Sequence, residues 1–261
     1  MSDRPHGLDW WQAPDGTWYP PEAQPGRPAA GRPAPNPDAD RPLSPGLVAA
    51  TQATLIGAVG LSAVAAAALA IEAGRFDAAA VRAAVDITAA LGVAGTALGV
   101  ALMSLIGSFV LMVTWAHRAY HAAARRGATG TTWSAGWAIG GWFLPLANLV
   151  IPRLVVGEID RMSHPGAGPE PVEHRWKTQP TLMLGHWWWA ATVVSMALLG
   201  FGVGVVAEQL DSIALDENLY RAGLQVAAAG LGLAAGAAAA GAVLVGRISL
   251  RLIRPPATDS G

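Results

Sequence analysis

Cysteine is absent from the 261-residue chain, which removes disulfides, thiolate metal sites and cysteine nucleophiles together. Charge is scarce too: Asp, Glu, Lys and Arg supply 13% of residues with a net of −1, whereas 52% are hydrophobic. Such a balance offers no basic surface for nucleic acid, and moves the expectation from a globular protein to a membrane protein. Residues 1–45 are polar and proline-rich, with no basic segment leading into an apolar core. No cleavable signal peptide is therefore expected, and the first hydrophobic helix is expected to direct its own insertion.

What fills the chain is Ala, Gly, Val and Leu in long blocks. A helix needs roughly 20 apolar residues to cross a bilayer core of about 30 Å. Four segments meet this without Asp, Glu, Lys or Arg: 47–71, 87–115, 181–207 and 222–246. A fifth block, 133–157, is largely apolar but carries Pro145, Asn148 and Pro152, where an unbroken helix would lose backbone hydrogen bonds. Charge decides how to treat it, because Lys and Arg near short loops mark the cytoplasmic side. If the block does not cross, Arg4, Arg27, Arg32, Arg41, Arg118, Arg125, Arg126, Arg153, Arg161, Arg175, Lys177, Arg247, Arg251 and Arg254 fall inside. Only Arg75, Arg82 and Arg221 then fall outside, and a fifth crossing would erase the bias. Tryptophan prefers the headgroup level. In the four-span arrangement Trp115, Trp133, Trp137, Trp142 and Trp187 to Trp189 all lie at the inner leaflet.

The expected fold is thus an all-α membrane protein. It has four transmembrane helices, a re-entrant or interfacial helix over 133–157, and a short possible β-hairpin at the N-terminus. Four parts follow: an N-terminal Trp-rich motif (1–22), a proline-rich disordered linker (23–45), the helical membrane domain (46–254) and a short tail (255–261). Both termini are expected in the cytoplasm, and the lipid bilayer is the first partner.

Two stretches carry a resemblance. The run Trp115-Ala-His-Arg118-Ala-Tyr120 is followed by Trp137, by Trp142-Phe-Leu-Pro145-Leu-Ala-Asn148-Leu-Val-Ile-Pro152, and by Glu158. Together they resemble the actinobacterial membrane family catalogued as domain of unknown function 4328. Ala122 departs from that family's frequent Asn. The resemblance implies the topology and brings no assigned activity. At the N-terminus, Asp9-Trp10-Trp11-Gln-Ala-Pro-Asp15-Gly16-Thr-Trp18-Tyr19-Pro-Pro is similar to a short Trp-rich motif that precedes membrane domains in many actinobacterial proteins. Asp15-Gly16 favours a two-residue hairpin turn, so Trp11 and Trp18 fall on strands able to pair. Trp10, Trp11, Trp18 and Tyr19 are the candidate partner-binding residues.

Several side chains invite a functional reading. A broken helix at membrane depth frees carbonyls and amides that transporters use for ligands; more ordinarily the prolines shape a turn and Asn148 caps the freed groups. His117 and His121, one turn apart, face the same way and suit a metal, yet two interfacial histidines are ordinarily solvated, and no metal or cofactor is expected. Arg118 and Glu158 flank the block and suit an ion pair fixing it to the second span. Ser104, Ser108, Thr114 and Ser195 have no His or Asp at comparable depth, so no enzyme is expected. Small residues four apart (Ala53 and Gly57; Gly95 and Gly99; Gly232, Gly236 and Ala240) mark packing faces, within the monomer or between copies in a homo-oligomer. The leading reading is a non-enzymatic bundle that binds a protein partner on its cytoplasmic face. The alternative is a small channel or transporter for a neutral solute, with its site at Asn148.

Overall fold

A computed structural model describes residues 11–12, 18–19, 42–75, 92–126, 128, 130–167, 175–212 and 215–253. In the N-terminal unit, Trp11–Gln12 and Trp18–Tyr19 pair antiparallel, Trp11 opposite Tyr19 and Gln12 opposite Trp18. This register leaves an odd number of residues between paired positions, whereas a two-residue turn at Asp15-Gly16 would set Gln12 opposite Tyr19. Trp10 and the turn lie outside the described residues.

The second unit is helical. Ala and Leu carry little conformational cost in a helix, and in hydrocarbon the helix satisfies its own backbone. Four helices are long and apolar enough to cross a membrane: α1 (Pro45–Arg75), α2 (Gly92–Ala124), and, after two short helices, α5 (Met183–Asp211) and α6 (Glu217–Ile253). α1 begins on Pro45, whose missing N–H costs nothing in a first turn. α6 is capped by Asp216, whose Oδ1 accepts the amides of Asn218 and Leu219. All four run past the lengths that hydropathy marks. The 37 residues of α6 reach about 55 Å at 1.5 Å per residue, so polar turns project from the apolar slab.

Block 133–157 is not one helix. It resolves into α3 (Trp137–Gly140), a 3-10 turn (Ala147–Leu149) and α4 (Ile151–Met162), none of bilayer-spanning length. Pro145 falls in the irregular stretch between α3 and the turn. Pro152 does not break α4 but starts it, in the first turn where donors are unused.

α6 is the most buried of the four long helices and packs along both α1 and α5, while α2 packs on α1. Neighbouring helices run antiparallel, so the ends at Pro45, Ala124, Met183 and Ile253 gather at one end of the bundle, with α3 and α4. Around the bundle the order is α2, α1, α6, α5. Among the described residues α2 and α5 barely touch.

The tightest seam joins α5 to α6. A Cβ on Gly202 would lie 2.5 Å from the Ala227 nitrogen, and one on Gly230 would lie 2.7 Å from the Leu199 nitrogen. The expected small-residue faces are elsewhere: Gly57, Gly99, Gly232 and Gly236 have nothing within 4 Å of a built Cβ. These four glycines therefore make no close helix contact among the described residues, whereas Ala240 of the same series packs against the core. Spacing alone does not tell which glycine stripe turns inward when the helix is Ala- and Gly-rich all round.

Candidate functional site

The segment from Trp133 to Met162 crosses the end of the bundle, and its local sequence shows how it is held there. Gly141 lets the chain double back: a Cβ at this position would meet Ile151 Cγ2 at 2.6 Å and the Trp137 carbonyl at 2.9 Å. Trp142 Nε1 donates to the Ala138 carbonyl at 3.0 Å, and Trp189 Nε1 reaches from α5 to the Leu149 carbonyl at 2.8 Å. The Trp142 ring stands edge-on to Phe109 of α2 (5.4 Å between centroids) and to Trp189 of α5 (5.6 Å). One aromatic plug therefore bridges the two helices that otherwise stand apart.

Beyond the plug lies a cavity of about 620 Å³ between α2 and α5, floored by α6. Its wall is apolar (Leu105, Phe109, Met112, Met196, Leu199 and Ala238 among others), and no ionisable residue lines it. Asn148 and Ser108 belong to this lining, and among the described residues Asn148 Oδ1 and Ser108 Oγ are buried without a hydrogen-bond partner. The usual fate of a helical hydroxyl is a bond to its own helix. Thr192 and Ser195, also in the lining, make such bonds to the Trp188 and Thr192 carbonyls. Ser62 Oγ is likewise unpartnered but does not line the cavity. Asn148 was expected to cap freed backbone groups; its Oδ1 makes no hydrogen bond among the described residues.

Burial divides the tryptophans expected at the inner leaflet. Trp115 is fully buried and donates to Ser249 Oγ on α6 at 2.9 Å. Trp142, Trp188 and Trp189 are core residues too, whereas Trp187 is 70% exposed and Trp137 38%. Sequence does not separate a belt from a core here, because both suit an apolar ring with one N–H to satisfy.

Arg118 and Glu158 do not form the expected brace. Among the described residues the ion pairs are Arg251–Asp160 at 2.9 Å and Arg221–Glu217 at 4.0 Å. Glu158 instead accepts the Thr132 amide at 2.8 Å, holding the loop between α2 and α3 against α4. Burial pushes its carboxyl above the ordinary glutamate range, against the pull of the Thr132 and Trp133 amides and of Arg161 and Lys177. The brace the sequence reading missed is Asp160, 2% exposed, which takes Arg251 Nη1 on one oxygen and the Leu182 amide, at 2.7 Å, on the other. Arg126 donates to the Arg251 and Leu252 carbonyls at 2.6 and 3.1 Å, so the C-terminal end of α6 is held from two sides. Only the acid's position at the end of an apolar segment signalled such a role.

His117 and His121 stack edge-on, 4.8 Å between centroids, and His117 Nδ1 lies 3.0 Å from the Ala135 carbonyl. Among the described residues no third acid or imidazole joins them in a metal-binding group.

Residues 75–249 match the family model described as "Domain of unknown function (DUF4328)". No curated protein and no solved structure matches the chain.

Proposed function

Taking as premise that the chain belongs to the DUF4328 family, whose description names no activity, we propose that its membrane domain is a non-enzymatic receptor for a neutral, long-chain amphiphile drawn from the bilayer. The observation that carries this reading is the apolar cavity whose lining includes Asn148 and Ser108, each with a buried oxygen that has no partner. A buried polar atom without a partner costs roughly 1–3 kcal/mol, and such atoms in a native protein call for an explanation. An amphiphile supplies it: a hydroxyl donates to Asn148 Oδ1 and meets Ser108 Oγ, while the chain runs along Leu102, Leu199 and Val203. The volume falls within the range of about 300–1,000 Å³ typical of small-molecule sites. The absence of any charge in the lining favours a neutral head. Entry is sideways between α2 and α5, where Ile106, Val110, Met196 and Phe201 are exposed at hydrocarbon depth. In this reading the end carrying α3 and α4 faces the cytoplasm, since Arg118, Arg125, Arg126, Arg153, Arg161, Arg175 and Lys177 gather near it.

The test uses full-length protein in nanodiscs and a long-chain alcohol carrying a photoreactive diazirine, with adducts mapped by peptide mass spectrometry. Adducts are expected within 102–112 and 188–203, displaced by unlabelled alcohol. Gly200→Phe fills the cavity from a position with nothing within 4 Å of a built Cβ, and is expected to cut labelling about tenfold, or ~1.4 kcal/mol. Labelling that resists competition, or persists in Gly200→Phe, would remove the cavity from the function.

A second reading has its own observation, the backbone pairing of Trp11–Gln12 with Trp18–Tyr19. An isolated two-stranded hairpin is marginal in water, so this motif gains from docking on a cytoplasmic protein. Deleting residues 1–21 is expected to strip partners recovered by gentle detergent extraction; an unchanged set of bound proteins would end this reading.

A further inference from the structure

A second concavity, sharing no lining residue with the apolar cavity, lies where α4 meets the start of α5. It holds about 220 Å³, and its polar wall includes Arg153, Arg161, Asp160, Gln179 and His186. Asp160 is its one acid, and both carboxylate oxygens are engaged, by Arg251 and by the Leu182 amide. The negative charge is thus matched from outside the cleft, which leaves the cleft cationic. Arg161 touches its own helix through Nε at 3.4 Å from the Gly157 carbonyl and feels Glu158, a weak hold for a five-donor group. Arg153 and His186 are half-buried and make no hydrogen bond or ion pair among the described residues.

The neighbouring side chains are of the opposite character. Val150, Met183 and Trp187 are 49%, 67% and 70% exposed, and each lies within three residues of Arg153 or His186 in the chain. Arginines close in the chain to an exposed Trp and Met suit the headgroup zone, where hydrocarbon gives way to phosphate. Guanidinium forks match phosphate oxygens two at a time.

We propose that this cleft binds the phosphate of an anionic phospholipid, with Arg153 and Arg161 as the principal donors and His186 as a third. The exposed Met183 and Trp187, which flank His186 in the sequence, favour a lipid over free phosphate, because only a lipid brings chains that could cover them. The two sites stand independently: filling one leaves the lining of the other untouched.

The experiment titrates full-length protein in detergent with phosphatidylglycerol, with phosphatidylcholine and with inorganic phosphate, following the unfolding midpoint and the lipids retained in native mass spectrometry. Phosphatidylglycerol is expected to raise the midpoint and to be retained over phosphatidylcholine. Arg153→Gln with Arg161→Gln is expected to weaken this binding by about tenfold or more per arginine, as loss of a charge-assisted hydrogen bond implies. Arg247→Gln, an exposed arginine outside the cleft, is expected to leave it unchanged. Should the double variant fail to fold, Arg153→Gln alone carries the test, since that side chain makes no bond to lose. Equal retention of the two lipids, or an unchanged preference in the cleft variants, overturns the site. A midpoint shift from inorganic phosphate that phosphatidylglycerol does not exceed overturns the lipid assignment.

Discussion

Asn148 shows at the scale of one residue how a site can run against stability. Its oxygen is buried without a partner, so Asn148→Leu is expected to stabilise the ligand-free protein by about 1–2 kcal/mol, read as a raised unfolding midpoint, while abolishing capture of the alcohol probe. A lower midpoint would mean that the oxygen has a structural partner after all. Glu158 gives a second test with a definite sign. Burial raises its carboxyl in the folded chain, so between the ordinary glutamate range and that raised value the folded state holds a proton the unfolded state has released. Stability then falls as pH rises through that window. Glu158→Gln keeps an acceptor for the Thr132 amide and removes the ionisation, so its melting profile is expected to lose this fall; parallel profiles from pH 4 to 7 would refute the account. Asn148 was legible in the sequence as the polar residue between two prolines. Its orphaned oxygen was not, because that depends on Ser108 and on a cavity wall drawn from four helices distant in the chain.

Among the elements, the four long helices could be read directly, since an uncharged run of bilayer length has few other uses. The helical extension past the second span could be read too, and α2 runs to Ala124; the end of α6 could not, since it reaches Ile253, because helix persists beyond the apolar slab where other elements cover it. The broken segment was legible as broken but not as three pieces, since Pro152 reads alike as a stop and as a start. Which glycines face inward was invisible as well, and substitution separates them. Gly230→Leu is expected to cost 1–3 kcal/mol or more, because its new side chain meets the α5 backbone. Gly232→Leu, two residues on and pointing into open space, is expected to be near neutral. Thermal unfolding in detergent distinguishes the two, and equal losses would contradict the α5–α6 seam.

For the whole molecule, the parity of four long helices gathers the ends of the membrane domain on one side, which the proposed function takes as cytoplasmic from its arginines. Single cysteines at Ala78, Gly168, Ala214 and Thr258, on a chain with no cysteine of its own, test it with a membrane-impermeant reagent on intact cells. Labelling is expected at Ala78 and Ala214 only. Labelling at Gly168 and Thr258 instead of Ala214 would require block 133–157 to cross, and would return attention to a neutral-solute pathway through Asn148.

α2 is fastened unevenly. At one end Trp115 is bonded to Ser249 and Arg126, just past the helix, grips the last carbonyls of α6. Toward the other end Ala94, Ala97 and Ala101 rest with Leu98 against the small side chains of α1. Each contact between methyl carbons gains only about 0.1–0.2 kcal/mol, and short side chains make few of them, so this end of the helix is held less firmly than the bolted one. A wedge entering beside α5 would therefore swing α2 like a door on its latched side, and the width of the membrane-facing mouth becomes a gauge of what the protein holds.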